Sequence, residues 1–142
     1  MKKFFALACM AALIFAGTTF ASPTEFYGGT INIPSGWGHD LESSNVFIYP
    51  SDFSQLIEIM TRPRSRGETY TSGKEAAEAM SKLARGTTPE QLNNDTYMFR
   101  CRIGWNNWIM SVNIARDGKL NLVRATDSKD AEAIVRSIRW KN

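Results

Sequence analysis

From residue 97 to residue 124 the chain alternates apolar and polar side chains, and it breaks that rhythm at only two turn-rich points. A period of two is the side-chain repeat of a β-strand. Tyr97, Phe99, Cys101 and Ile103 share one face, and Met98, Arg100 and Arg102 the other. Gly104-Trp105-Asn106-Asn107 turns the chain. Trp108, Met110, Val112 and Ile114 then alternate with Ser111 and Asn113. Asp117-Gly118 is a strong short-range hairpin signal, and Leu120–Val123 returns. Three strands in succession with short breaks pair most directly with one another, so this stretch predicts an antiparallel meander.

The rest of the chain supplies strands and helices around it. Phe26–Ile33 reads as a strand ended by Pro34-Ser35-Gly36, Leu41–Ser43 as the start of a short second one, and Val46–Tyr49 and Leu56–Arg62 as clearer ones. Leu56, Ile57, Ile59 and Met60 are apolar on both faces, which suits a central strand. Ser72-Gly73-Lys74-Glu75 fits a capping box, followed by Ala76, Ala77, Met80, Leu83 and Ala84 at helical spacing, with Gly86 as the left-handed terminator. One turn is expected at Pro89–Leu92. Asp127 or Ser128 caps a last helix carrying Ala131, Ile134, Val135 and Ile138 inward. The order strands, helix, strands, helix predicts an α+β fold: an antiparallel sheet of about six strands flanked by two main helices.

Residues 1–21 read as an address. Lys2 and Lys3 precede a thirteen-residue apolar run, Phe4–Ala16, and Thr19-Phe20-Ala21 offers small residues where a signal peptidase reads. Cleavage is expected between Ala21 and Ser22, leaving residues 22–142 as a single domain that is periplasmic or secreted. The apolar run falls short of the ~20 residues needed to cross a membrane, so no transmembrane anchor is expected after cleavage. Loss of both lysines leaves 15 basic against 14 acidic residues, a net charge of about +1. The pI near 9.0 of the whole chain is therefore no argument for nucleic acid, and no such partner is expected. Cys101 remains as a lone thiol, so an intrachain disulfide is excluded in the mature chain.

Two segments carry a resemblance. Ile31-Asn32-Ile33-Pro34-Ser35-Gly36-Trp37 is similar to the opening of the PsbP-like fold, and Ala133–Trp140 (AIVRSIRW) resembles its last helix and exit. With the intervening strand pair, middle helix and meander, the resemblance to this PsbP-like, DcrB-like group covers nearly all of residues 26–140. It implies an α/β/α sandwich used mainly as a binding scaffold, and it implies no catalytic residue.

The side chains themselves offer few chemistries. His39 is the only histidine and sits in a turn-rich segment, without the spacing of zinc ligands. Cys101 is flanked by Arg100 and Arg102, but alternation sends the arginines to the opposite face, and the thiol reads as buried and inert. No Gly-x-Ser-x-Gly elbow is present. No cofactor, metal or enzymatic activity is expected. Arg62, Arg64 and Arg66 recur at a spacing of two; if they shared a sheet face with Arg100 and Arg102 they would form an anion-binding patch. Trp105 and Trp108 flank a hairpin tip, where aromatics anchor a partner or stack on a sugar. These seven residues are the candidate contacts for a protein or cell-envelope partner. An alternative is a small-ligand pocket between the sheet and the middle helix, with Ala76, Ala77 and Ala84 leaving room.

Overall fold

The computed structural model describes residues 22–42 and 45–141. The leader expected over residues 1–21 lies outside the described residues, as does Ser43 of the second expected strand. The elements in chain order are β1 (Thr24–Phe26), β2 (Gly29–Ile31), β3 (Trp37–Asp40), β4 (Asn45–Pro50), β5 (Ile57–Arg62), α1 (Gly73–Ala84), β6 (Glu90–Asn93), β7 (Thr96–Ile103), β8 (Asn106–Ile114), β9 (Leu120–Thr126), α2 (Lys129–Ser137) and β10 (Arg139–Trp140).

Seven strands form the main sheet in the order β3-β4-β5-β9-β8-β7-β6, and β1-β2-β10 form a second, small sheet. Every pairing among them is antiparallel. The main sheet is thus two meanders, β3–β5 and β6–β9, joined by α1 and sealed where β5 meets β9. The fold is α+β, and β5 occupies an interior position as its two-faced apolarity requires.

The expected strand over Phe26–Ile33 is instead two short strands around a turn at Tyr27-Gly28. Residues 37–40, read as a turn and including His39, form edge strand β3 because β4 offers them an open ladder. The expected turn at Pro89–Leu92 gives way to edge strand β6, paired with β7.

Helix α1 starts as its sequence dictates. The Glu75 N–H donates to Ser72 Oγ at 3.2 Å. The Glu75 carboxylate reaches one residue further back, accepting from the Thr71 N–H at 2.7 Å and the Thr71 hydroxyl at 2.9 Å. The left-handed terminator is Arg85 (φ 52°), not Gly86. Gly86 serves a different need: a Cβ there would stand 2.7 Å from the Arg100 carbonyl oxygen, so only glycine lets the helix end meet β7. Leu83, expected inside, is 84% exposed. Ser81 is buried in the same turn, its hydroxyl donating to the Thr87 carbonyl at 2.5 Å.

The two helices pack on opposite faces of the main sheet. Ala76 and Ala77 of α1 meet Phe99, Cys101, Val112, Leu120 and Leu122. Helix α2, capped by Ser128, buries Ala131, Ile134 and Val135 on the other face against Ile57, Ile59, Val123 and Ala125. Each fully buried isoleucine contributes about 1.5–3 kcal/mol by leaving water. The small sheet closes one end of this second core, where the Trp140 ring meets Phe26 edge-on at 5.5 Å. Helix α1 reaches only β7 and β8 with substantial contact. The part of that face on β4, β5 and β9 carries half-buried Phe47, Met60 and Arg124.

Candidate functional site

Two tight turns meet at the end of the sheet that carries the β7–β8 hairpin. The first links β7 to β8. Ile103 pairs with Asn106, so the loop is only Gly104-Trp105, and the expected four-residue turn is shorter because Asn106 and Asn107 already belong to β8. Gly104 has φ 62° and Trp105 has no positive φ, the pattern of a type II′ turn, which needs glycine first. The geometry places Trp105 at the tip, 90% exposed.

The second turn links β4 to β5. The Phe53 N–H donates to the Pro50 carbonyl at 3.0 Å. The Asp52 carboxylate accepts from the Ser54 N–H at 3.0 Å and the Ser54 hydroxyl at 2.7 Å, and these bonds hold its carboxyl below the usual range. Phe53 itself lies in the left-handed region at φ 55° and is 74% exposed. A bulky aromatic in that conformation costs backbone energy that asparagine or glycine would not incur. Its ring is steadied by stacking on Tyr49 at 5.0 Å and 20°.

Phe53, Trp105 and Trp108 line one cleft of about 380 Å³. Trp108 is half-buried and lies under the Arg124 guanidinium at 5.0 Å. Arg124 is held in turn by the buried Glu58, at 2.7 Å across the β5–β9 ladder. Between the aromatics the lining is Ser54, Gln55, Asn106, Asn107, Thr126 and Asp127. The Asn106 and Asn107 side chains have no protein partner among the described residues. Gln55 accepts from Ser128 through its carbonyl oxygen, which leaves its NH₂ free. Asp127 is bound to Arg100 at 2.8 Å through one oxygen.

The five arginines do not gather in one place, although Arg100 and Arg102 line one cleft of about 310 Å³ together with Arg85. Arg62 aligns with Leu120, on the α1 face, and makes a two-point pair with Glu68 at 2.7 and 3.1 Å. Arg64 is a clamp: its Nε donates to the Gly118 carbonyl at 2.7 Å and its Nη1 to the Tyr70 carbonyl. Arg66 is exposed and without a partner among the described residues. Arg100 lies on the α2 face, engaged by Asp127 and Glu132. Arg102 lies over the Trp105 ring, 6.0 Å from its centroid. The single anion patch expected from Arg62, Arg64, Arg66, Arg100 and Arg102 is therefore not formed, since the register puts Arg62 and Arg100 on opposite faces. Trp105, Trp108 and Arg102 are the expected contacts that come together.

Phe53 escaped the sequence reading. Its signal is an aromatic between turn formers, in Pro50-Ser51-Asp52-Phe53-Ser54. A second cleft of about 360 Å³ lies at the opposite end of β8 and β9, between the β8–β9 turn and the small sheet, with Arg116, Lys119 and Lys141 on its walls. Of the three alanines of the alternative pocket between α1 and the sheet, Ala76 and Ala77 have no exposure and pack on the sheet, while Ala84 is half-buried. Cys101 is buried, and burial pushes its thiol pKa up. Among the described residues no three His, Cys, Asp or Glu side chains are placed to hold a metal ion. No helix among them is long and apolar enough to cross a membrane. Compared with protein-family models the chain matches none, and no curated protein matches its sequence.

Proposed function

We propose that this chain is a non-enzymatic binding protein of the periplasm or cell exterior, built on a PsbP-like α/β/α sandwich, and that it engages a protein or cell-envelope component. The observation that carries this reading is the pair of exposed aromatics, Phe53 and Trp105, that two separate turns hold on one cleft. Folding alone does not call for a large ring at either tip, since exposed rings add nothing to the core. Aromatics rimmed by arginine are the composition of interface hot spots, and Arg102 stands over Trp105. The leader-like residues 1–21 support the location.

The test is crosslinking of the tagged protein in its native host, with the wild type beside Trp105→Ala. One dominant partner, lost with the tryptophan and with the melting temperature unchanged, is the expected result. Equal capture by both proteins would remove the cleft from the function.

A further inference from the structure

Resting on the reading of this cleft as the contact site, we propose that its ligand is an uncharged oligosaccharide, bound by stacking of a pyranose ring on Trp105 and by the free amides beside it. A sugar ring presents two kinds of surface. Its C–H face is apolar and flat, and it packs on an aromatic ring. Its rim carries neighbouring hydroxyls, each a donor and an acceptor. Groups that are donor and acceptor at once, such as amides, match that rim best.

The cleft offers both. Trp105 is 90% exposed and Phe53 74%, so each ring keeps one face open although Arg102 stands over the first and Tyr49 stacks on the second. Asn106 and Asn107 hold uncommitted amides, and Gln55 has its NH₂ free. A carboxylate, Asp127, adds an acceptor that accepts from Arg100 through only one oxygen. No lysine or arginine lines this cleft, whereas three cations line the cleft at the far end of β8 and β9. An anionic ligand would be served by the far cleft and not by this one. The volume, about 380 Å³, falls in the range of small-molecule sites. Open aromatic faces beside uncommitted amides, with no lysine or arginine on the cleft wall, match a neutral saccharide.

The experiment titrates the purified protein with chitotriose, cellotriose and maltotriose, following tryptophan emission and, independently, heat of binding. At least one sugar should bind saturably, with Trp105→Ala weakening it about tenfold or more. Phe53→Asn should weaken it as well, while keeping the backbone in a conformation that asparagine tolerates. Asn106→Ala should weaken it without altering the emission of the free protein. No saturable binding of any of the three, or binding indifferent to Trp105→Ala, overturns the saccharide assignment. If the crosslinked partner in the host is a protein whose capture needs Trp105 while the sugars fail, the ligand class falls and the contact site stands. If neither sugar nor partner depends on Trp105, both fall.

Discussion

Asn121 donates through Nδ2 to Asn113 Oδ1 at 3.0 Å, across the β8–β9 ladder and with both residues buried. The contact is the centre of a row. Thr61 aligns with Asn121, and Thr96 with Asn113, so four polar residues stand side by side on four strands. The Thr61 hydroxyl donates to Asn121 Oδ1 at 2.7 Å, and Asn113 Nδ2 donates to Thr96 Oγ1 at 3.2 Å. The row lies on the α2 face beside its apolar core, and its Thr61 and Asn121 end borders the cleft next to the small sheet. A strand that slipped by one residue would carry its amide to the other face and leave its neighbours unsatisfied, so the row fixes register.

Asn113→Leu and Asn121→Leu should each cost about 2–4 kcal/mol, because each leaves the other amide buried without its partner. The double replacement should cost less than the sum by about 1 kcal/mol or more, since it removes both ends of the broken bond. Urea denaturation of the four proteins measures this directly, and additive losses would deny the coupling.

Phe53→Asn should change stability by less than about 1 kcal/mol. Relief of the left-handed backbone (φ 55°) and loss of the Tyr49 stack act in opposite directions and are similar in size. A large drop in melting temperature would show that the ring supports the fold rather than the cleft.

Arg64→Ala should lower stability by about 1–3 kcal/mol, because the guanidinium ties two backbone carbonyls that the sequence places far apart, Gly118 and Tyr70. Arg64→Lys should rescue little of this, since an ammonium lacks the fork that reaches both. Full stability of the alanine variant by thermal melting would contradict the clamp.

Glu68 gives a pH signature. The hydrogen bond from Arg62, aided by the Ser65 N–H at 2.7 Å and opposed by burial, holds its carboxyl down at about 2. Its pKa is lower folded than unfolded, so its stabilisation is present above the ordinary carboxylate range and fades as pH falls toward 2. The Arg62 side chain is 36% and that of Glu68 16% exposed, so water still screens the pair and the effect stays at about 1 kcal/mol or below, the upper end for surface pairs. Glu68→Gln should flatten that part of the stability profile in acid denaturation curves, its small cost being felt in full at pH 7 and vanishing near pH 2.

Cys101 should resist thiol reagents in the native protein and react on unfolding, because burial raises its pKa and blocks approach. Prompt native labelling of Cys101, located by peptide mapping, would contradict the packing of β7 against α1.

Local patterns were the legible part of the sequence. Strands β7, β8 and β9 alternate cleanly and are joined by short loops, so neighbours in sequence are neighbours in space. At the β8–β9 turn only Gly118 takes a positive φ (84°), with its N–H bonded to the Ala115 carbonyl at 2.9 Å. The Asp-Gly pair thus marked the turn, though the loop is longer than two residues. Ser72 and Ser128 cap as their spacing suggests. What long-range pairing decides was hidden. Trp37–Asp40 is a strand only because β4 lies beside it. Leu83 faces water because the helix turns Gly73, Ala76, Ala77 and Ser81 inward, which leaves residue 83 to one side of that face. At the site, Trp105 and Trp108 stood out by type and hairpin position. Phe53 joined them only once the β4–β5 turn was seen beside the β7–β8 hairpin.

The pairing of β10 with β2 sets an order of events during synthesis. Thr30 and Gly29 find their partners in Arg139 and Trp140, and the Phe26 ring is covered by Trp140. These contacts join the first described strands to nearly the last described residues. While residues 139–140 are still inside the ribosome, one end of the α2-side core stays open to water. The nascent chain thus remains unsealed at that end until residues 139 and 140 have emerged to pair with β2.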